Sequence, residues 1–139
     1  MLIIDTNYFV ALFNNRDHNH QRAKLFLNDL KKSKWGSRII TDYIMDETIT
    51  MLWVQTHSKD LVKDFYNKIV MNKKFARLEK ITSEDITKAW EFWNKYAEYP
   101  KKPLSFTDCS ILAIIERLQI TNVLTFDAEF DGMVPIVLR

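Results

Sequence analysis

Short apolar runs alternate along the chain with longer stretches whose apolar positions recur every three or four residues. Leu2–Ile4 reads as a buried strand and Arg38–Thr41 as a second. Phe75–Lys80 suits a short third strand, and Val123–Thr125 and Val134–Val137 suit the last two. Between them lie helical patterns. Asn7–Phe13 carries Tyr8, Phe9, Leu12 and Phe13. Ala23, Phe26, Leu27 and Leu30 follow the spacing of one helix face, and Trp35-Gly36-Ser37 breaks that helix. Helices are expected from about Asp42 to Gln55 and from Ser58 to about Val70. Thr82-Ser83-Glu84-Asp85 is a capping signal, followed by Ile86, Ala89, Trp90, Trp93 and Ala97 on one stripe. That stripe predicts core positions for Trp90 and Trp93. Pro100 and Pro103 punctuate a loop, and Ser105 opens a helix to about Leu118. Strands alternating with helices predict an α/β fold: a mostly parallel sheet of about five strands, flanked by helices. Chemistry in such sheets gathers outside the carboxyl ends of the strands.

Composition narrows the chemistry. A chain of 139 residues is expected to form a single domain over 1–139. Its 2 glycines, Gly36 and Gly132, are too far apart for a glycine-rich phosphate loop. The single Cys109 excludes an intrachain disulfide and a multi-cysteine zinc site, and is expected to be a small buried hydrophobe. No apolar run approaches the length of a membrane span, and Met1-Leu2-Ile3-Ile4-Asp5 lacks the basic start of a signal peptide. A cytoplasmic protein is the expectation. The formal net charge of +2 is too mild to name a partner.

Four carboxylates stand where carboxylates are costly. Asp5 ends the first strand inside an apolar stretch, where a lone ionised group would be expensive to desolvate; an Asx-turn or helix cap is its structural alternative. Glu47 shares a helical line with Ile44, Met51 and Val54, whereas Asp46 aligns with Asp42 and Thr50 on a wetter face. Asp108 heads an apolar helix on the side of Ile111, Leu112 and Ile115, and Ser105-x-x-Asp108 doubles as a capping box. Thr82–Asp85 shows the same capping chemistry with no reason to invoke a site. Asp127 follows the strand Val123–Thr125, with Glu129 and Asp131 as nearby substitutes. Asp5 and Asp127 end strands while Glu47 and Asp108 begin helices, so all four can converge on one sheet edge. Clustered carboxylates raise one another's pKa, and a divalent cation relieves the repulsion. Oxygen ligands without His or Cys select Mg²⁺ or Mn²⁺.

Such a centre can activate water and neutralise a phosphate, which is what phosphodiester hydrolysis requires. Outside the cluster, the 20 Lys and Arg outnumber the remaining acids. Lys31, Lys32, Lys34 and Arg38 form one basic group, Lys73, Lys74 and Arg77 another, and Lys101 and Lys102 a third. They are either solvated faces or a cradle for a nucleic-acid backbone lying across the acidic cleft.

Ile4-Asp5-Thr6-Asn7, Asp46-Glu47-Thr48, Thr107-Asp108-Cys109 and Thr125-Phe126-Asp127-x-x-Phe130, in that order, resemble the motifs of PIN-domain nucleases. The likeness runs from Leu2 to Leu138 and is strongest to the toxin ribonucleases of prokaryotic type II toxin–antitoxin pairs. It implies a PIN-like three-layer α/β/α fold and a Mg²⁺ or Mn²⁺ site on Asp5, Glu47, Asp108 and Asp127. Thr6 and Asn7 match positions that assist at the site, though Asn7 also suits a helix cap. It further implies an endoribonuclease acting on structured RNA such as tRNA or ribosomal RNA, a homodimer, and a small antitoxin whose tail fills the groove. The products would carry a 5′-phosphate and a 3′-hydroxyl. Two other readings stand beside it. A phosphatase of the haloacid dehalogenase type wants a second Asp where Asn7 stands. A non-catalytic RNA- or protein-binding module could use Trp53, Trp90 and Trp93 as a partner surface.

Overall fold

The structure is a computed structural model and describes residues 1–138. β1 (Leu2–Ile4) is fully buried, β2 spans Arg38–Thr41, β3 Arg77–Glu79 and β4 Asn122–Leu124. They form a parallel sheet in the order β3-β2-β1-β4. Successive strand residues point to opposite faces, so the burial of Leu2, Ile3 and Ile4 together means that both faces are covered. Among the described residues no helix is long and apolar enough to cross a membrane.

Helix α1 (Thr6–Phe13) starts directly after β1, with Asp5 as its N-cap, and α2 (His20–Leu30) follows. The Tyr8 hydroxyl donates to the Ala23 carbonyl at 2.9 Å and ties the two together. Thr41 ends β2 and caps α3 (Asp42–Thr56) by accepting from the Ile44 N–H. Helix α4 (Lys59–Phe65), capped by Ser58, runs into a π-turn over Tyr66–Val70. Helices α5 (Ser83–Tyr96) and α6 (Phe106–Leu118) each begin with a complete capping box. The chain thus steps from β1 outward to β3, then returns across the sheet to place β4 on the other side of β1. Right-handed crossovers put α5 and α6 on the face opposite the first two connections.

Two expectations need correction. Val134–Val137 is not a fifth strand but a single parallel bridge between Val123 and Ile136, with Val123 N–H donating to Pro135 O and Val137 N–H to Val123 O. Pro135 has no N–H to extend a ladder. Trp90 and Trp93 are not core: they are 57% and 39% exposed and stack on each other, with ring centroids 5.4 Å apart. The inward side of α5 is set instead by Ala89, which meets Cys109 and Ala113 of α6, with Phe92 and Tyr96 packed alongside. Small residues facing small residues bring the two helices close, and that rotates the tryptophans outward.

Candidate active site

In an open parallel sheet, a crevice forms where neighbouring strands send their connections in opposite directions. Here that point lies between the carboxyl ends of β1 and β4. A cleft of about 230 Å³ opens there, and Asp5, Thr6, Asn7, Glu47, Asp108 and Asp127 all line it. The six residues singled out from the sequence therefore meet in one place. Glu129, Ser105, Met51 and Pro103 complete the walls. Asp46 is exposed, on the outer side of α3.

Each acid is placed by the element that carries it. Asp5 is 3% exposed; its Oδ1 accepts from Thr6 N–H at 2.7 Å and its Oδ2 from the Thr125 hydroxyl at 2.9 Å. That hydroxyl also accepts from the Asn7 amide and from the Asp127 N–H, both at 2.9 Å. Asn7 in turn accepts the Phe126 N–H at 3.0 Å, so it fastens α1 to the loop after β4. Glu47, half-buried on α3, accepts the Thr6 hydroxyl at 2.7 Å. Asp108 accepts the Ser105 N–H at 2.8 Å while Ser105 accepts the Asp108 N–H, which fixes the carboxylate at the mouth of the cleft. Asp127 accepts the Glu129 N–H as cap of a single 3₁₀ turn, Ala128–Phe130. Asp131 follows that turn and lies outside the cleft lining.

The electrostatics are those of acids crowded together. Burial, and then the charge of Asp108, push the Asp5 carboxyl up to about 8 against the bonds from Thr125 and Thr6. Burial raises Glu47 and Asp108 as well. Glu129 rises to about 7 through burial, its hydrogen bond to Asp108 and the nearby charge of Asp127. The hydrogen bond between the two carboxyls raises Glu129 and lowers Asp108 against the burial that raises both. Among the described residues, none of these five acids is ion-paired to a Lys or Arg.

The second capping box shows the contrast. Asp85 holds the same position on α5 that Asp108 holds on α6, but Arg117 grips it with two nitrogens at 2.9 Å. Burial raises the Asp85 carboxyl, and Arg117 and Thr82 more than offset it, leaving it below the usual carboxylate range. One cap is neutralised by a cation of the protein itself; the other faces four further acids.

This donor set suits a hard divalent cation: carboxylate oxygens, with no thiolate, imidazole, guanidinium or ammonium among the residues lining the cleft. Among the described residues no three such side chains already meet as a closed ligand set. Thr6, Thr125 and Ser105 hold some of the oxygens instead.

Thr125 is the residue that sequence reasoning passed over, although it is the hub joining Asp5, Asn7 and Asp127. Its signal was available: a hydroxyl at a buried strand end, two residues before an acid. Asn7, where a haloacid dehalogenase would need a second Asp, is engaged by Thr125 and Phe126. The basic groups divide between the two ends of the sheet. Lys102 lies near Glu129. Lys31, Arg38, Lys73, Lys74 and Arg77 gather at the amino ends of β2 and β3, the opposite edge of the sheet.

Relatives carry the same architecture. A "VapC ribonuclease" of Archaeoglobus fulgidus is 25% identical over 131 residues, covering 93% of this chain and 78% of that protein. The "23S rRNA-specific endonuclease VapC20" of Mycobacterium tuberculosis is 25% identical over 136 residues, covering 95% and 93%. The VapC20 crystal structure, described as a sarcin-ricin loop cleaving toxin, superposes with a TM-score of 0.77 at 23% identity, covering 95% and 94%. A Klebsiella pneumoniae toxin–antitoxin complex matches with a TM-score of 0.66 at 18% identity, covering 99% and 96%. The model of the PIN domain matches residues 2–134, and this chain belongs to the PIN-domain family.

Proposed function

We propose that this chain is a Mg²⁺- or Mn²⁺-dependent endoribonuclease that hydrolyses phosphodiester bonds in structured RNA, as the toxin of a toxin–antitoxin pair. The observation that carries this reading is that Asp5, Glu47, Asp108 and Asp127 meet in the β1/β4 cleft with no ion pair to a Lys or Arg among the described residues, while Asp85, in the matching capping box, has Arg117. A bound Mg²⁺ or Mn²⁺ supplies charge neutralisation at the phosphate and a water of lowered pKa.

Asp5 and Asp108 would hold that ion, with Asp127 as a direct or water-mediated ligand. Glu47 completes the ligand set or orients the attacking water, its own position fixed by the Thr6 hydroxyl. Thr125 and Asn7 keep Asp5 and the Asp127 loop in register. Water oxygen bonds to phosphorus, the bond from phosphorus to the 3′-oxygen breaks, and that oxygen takes up a proton. The products are a 5′-phosphate and a 3′-hydroxyl. Glu129, raised to about 7 beside Asp108, can serve in that transfer.

A tRNA or ribosomal RNA is the substrate class, supported by the ribosomal RNA named for the Mycobacterium tuberculosis relative. The chain works as one cytoplasmic nuclease domain, forms a homodimer and is silenced by a small antitoxin. The exposed Trp90–Trp93 stack supports a protein partner, as does the Klebsiella pneumoniae complex.

The test is cleavage of a mixed structured-RNA pool by the wild-type chain and by Asp5→Asn, each with Mg²⁺, Mn²⁺ or EDTA. Cutting by the wild type, lost in EDTA and reduced at least 100-fold in Asp5→Asn, is expected. RNA binding with no metal-dependent cutting would favour the non-catalytic module.

A further inference from the structure

The lysines and arginines at the amino edge of the sheet surround a groove of about 530 Å³. Basic side chains there have an ordinary explanation, because the carbonyl ends of α2 and of the loop before β3 point that way. Arg38 already meets that need. Its guanidinium donates to the carbonyls of Leu30, Lys74 and Phe75 and lies over the Phe75 ring. Arg77 is paired with Glu79 at 2.6 Å. Lys31, Lys73 and Lys74 remain, with no ion pair among the described residues and no carboxylate in the groove wall.

The groove does not end at the lysines. Lys73 and Arg77 also line a neighbouring depression, which is walled by Tyr66, Met71 and Leu78, all three exposed. Tyr66 opens the π-turn after α4, a widened turn of the kind that recurs at functional sites. Unpaired cations beside an exposed aromatic ring are the combination by which proteins hold single-stranded nucleic acid: phosphates on the cations, a base on the ring.

We propose that this edge is a second RNA-binding site, with the backbone on Lys31, Lys73 and Lys74 and an unpaired base on Tyr66, at the end of the sheet opposite the catalytic cleft. It rests on the ribonuclease reading of that cleft and deepens it. Strands of three to four residues separate the two edges by roughly 10–13 Å. Both faces of the sheet are covered by helices, so an RNA must pass around the outside of the molecule to touch both ends; a folded RNA can do so, whereas a dinucleotide reaches only one. The second site therefore selects large folded substrates over short ones.

Binding of a labelled stem-loop RNA is measured by anisotropy across a salt series, in an Asp5→Asn background with Mg²⁺ so that the probe survives. Replacing Lys31, Lys73 and Lys74 together by Ala should weaken binding at least tenfold and make the slope of log K against log salt shallower by about 2, at ~0.7 per phosphate contact. Replacing Lys24, Lys59 and Lys63, exposed lysines elsewhere with the same total charge, should change affinity less than threefold. Tyr66→Leu, which keeps an apolar side chain but removes the ring, should lose about tenfold with the slope unchanged. Equal losses in the two lysine triples, or none in the first, would overturn the proposal. So would a groove triple that loses binding to polyglutamate but keeps RNA, which would assign the groove to an acidic protein. Wild-type cleavage, measured separately, keeps the two readings apart. RNA held by the groove with no cutting sinks the nuclease alone; cutting with no groove effect sinks the second site alone.

Discussion

At the scale of single residues, Asp85 and Asp108 pose the sharpest question. Both are the last residue of a capping box, both are buried, and both accept the N–H of their cap. Asp108→Asn keeps an oxygen for the Ser105 N–H but removes the charge. RNA cleavage is expected to fall at least 100-fold while the thermal midpoint in EDTA holds or rises. Asp85→Asn leaves Arg117 without its carboxylate. It should cost about 2 kcal/mol in urea unfolding, below the value for a fully buried pair because Arg117 is partly exposed. The sequence showed the two boxes as equals, because Arg117 stands 32 residues beyond Asp85 and only the α5–α6 packing joins them.

The Asp5 carboxyl yields a pH prediction of definite sign. Its folded pKa, about 8, lies above its ordinary value of 3.8, so its contribution is fully present at low pH and is lost as pH rises through that window. The metal-free chain should therefore lose stability between about pH 4 and pH 8. Asp5→Asn should flatten that dependence and raise the melting temperature at pH 8 in EDTA by roughly 5 °C, about 2 kcal/mol after discounting for relaxation. A wild-type melting curve that does not shift over that pH range would count against an ionising acid buried at the site.

At the scale of elements, the site is a meeting of strand ends and helix starts, and the Thr125 hydroxyl is its fastening. Thr125→Val has nearly the same shape but leaves Asp5 Oδ2 without its donor and leaves the Asn7 amide and the Asp127 N–H without that acceptor. Unfolding should cost 1–2 kcal/mol less and cleavage should slow at least tenfold, whereas Thr125→Ser should keep most of both. Strand and helix positions were legible because apolar runs and capping residues are local. The orientation of α5 was not. Its stripe of Ile86, Ala89, Trp90 and Trp93 has correct helical spacing, but which edge of the stripe turns inward depends on Ala89 facing Cys109 and Ala113. The last segment failed as a strand for a visible reason, Pro135, which the run of valine and isoleucine outweighed.

At the scale of the whole molecule, the parallel order β3-β2-β1-β4 gives two edges of opposite charge. The carboxyl edge collects Asp5, Glu47, Asp108 and Asp127, and the amino edge collects Lys31, Lys73 and Lys74, which have no ion pair among the described residues. Convergence of the acids was foreseeable, since each closes a strand or opens a helix on the same side of a parallel sheet. The place of the basic groups was not, because spacing within a loop does not say which edge the loop serves. An acidic edge built for a divalent cation binds one without any substrate, and calorimetric titration of Mn²⁺ at pH 7 measures that directly. Asp5 and Glu129, with pKa values near 8 and 7, hold protons that an incoming cation displaces, so the heat should vary with the ionisation enthalpy of the buffer. Saturable, proton-releasing binding is expected for the wild type and for Asp85→Asn, with its loss in Asp108→Asn. No binding to the folded wild type, or equal binding to Asp108→Asn, would contradict that expectation.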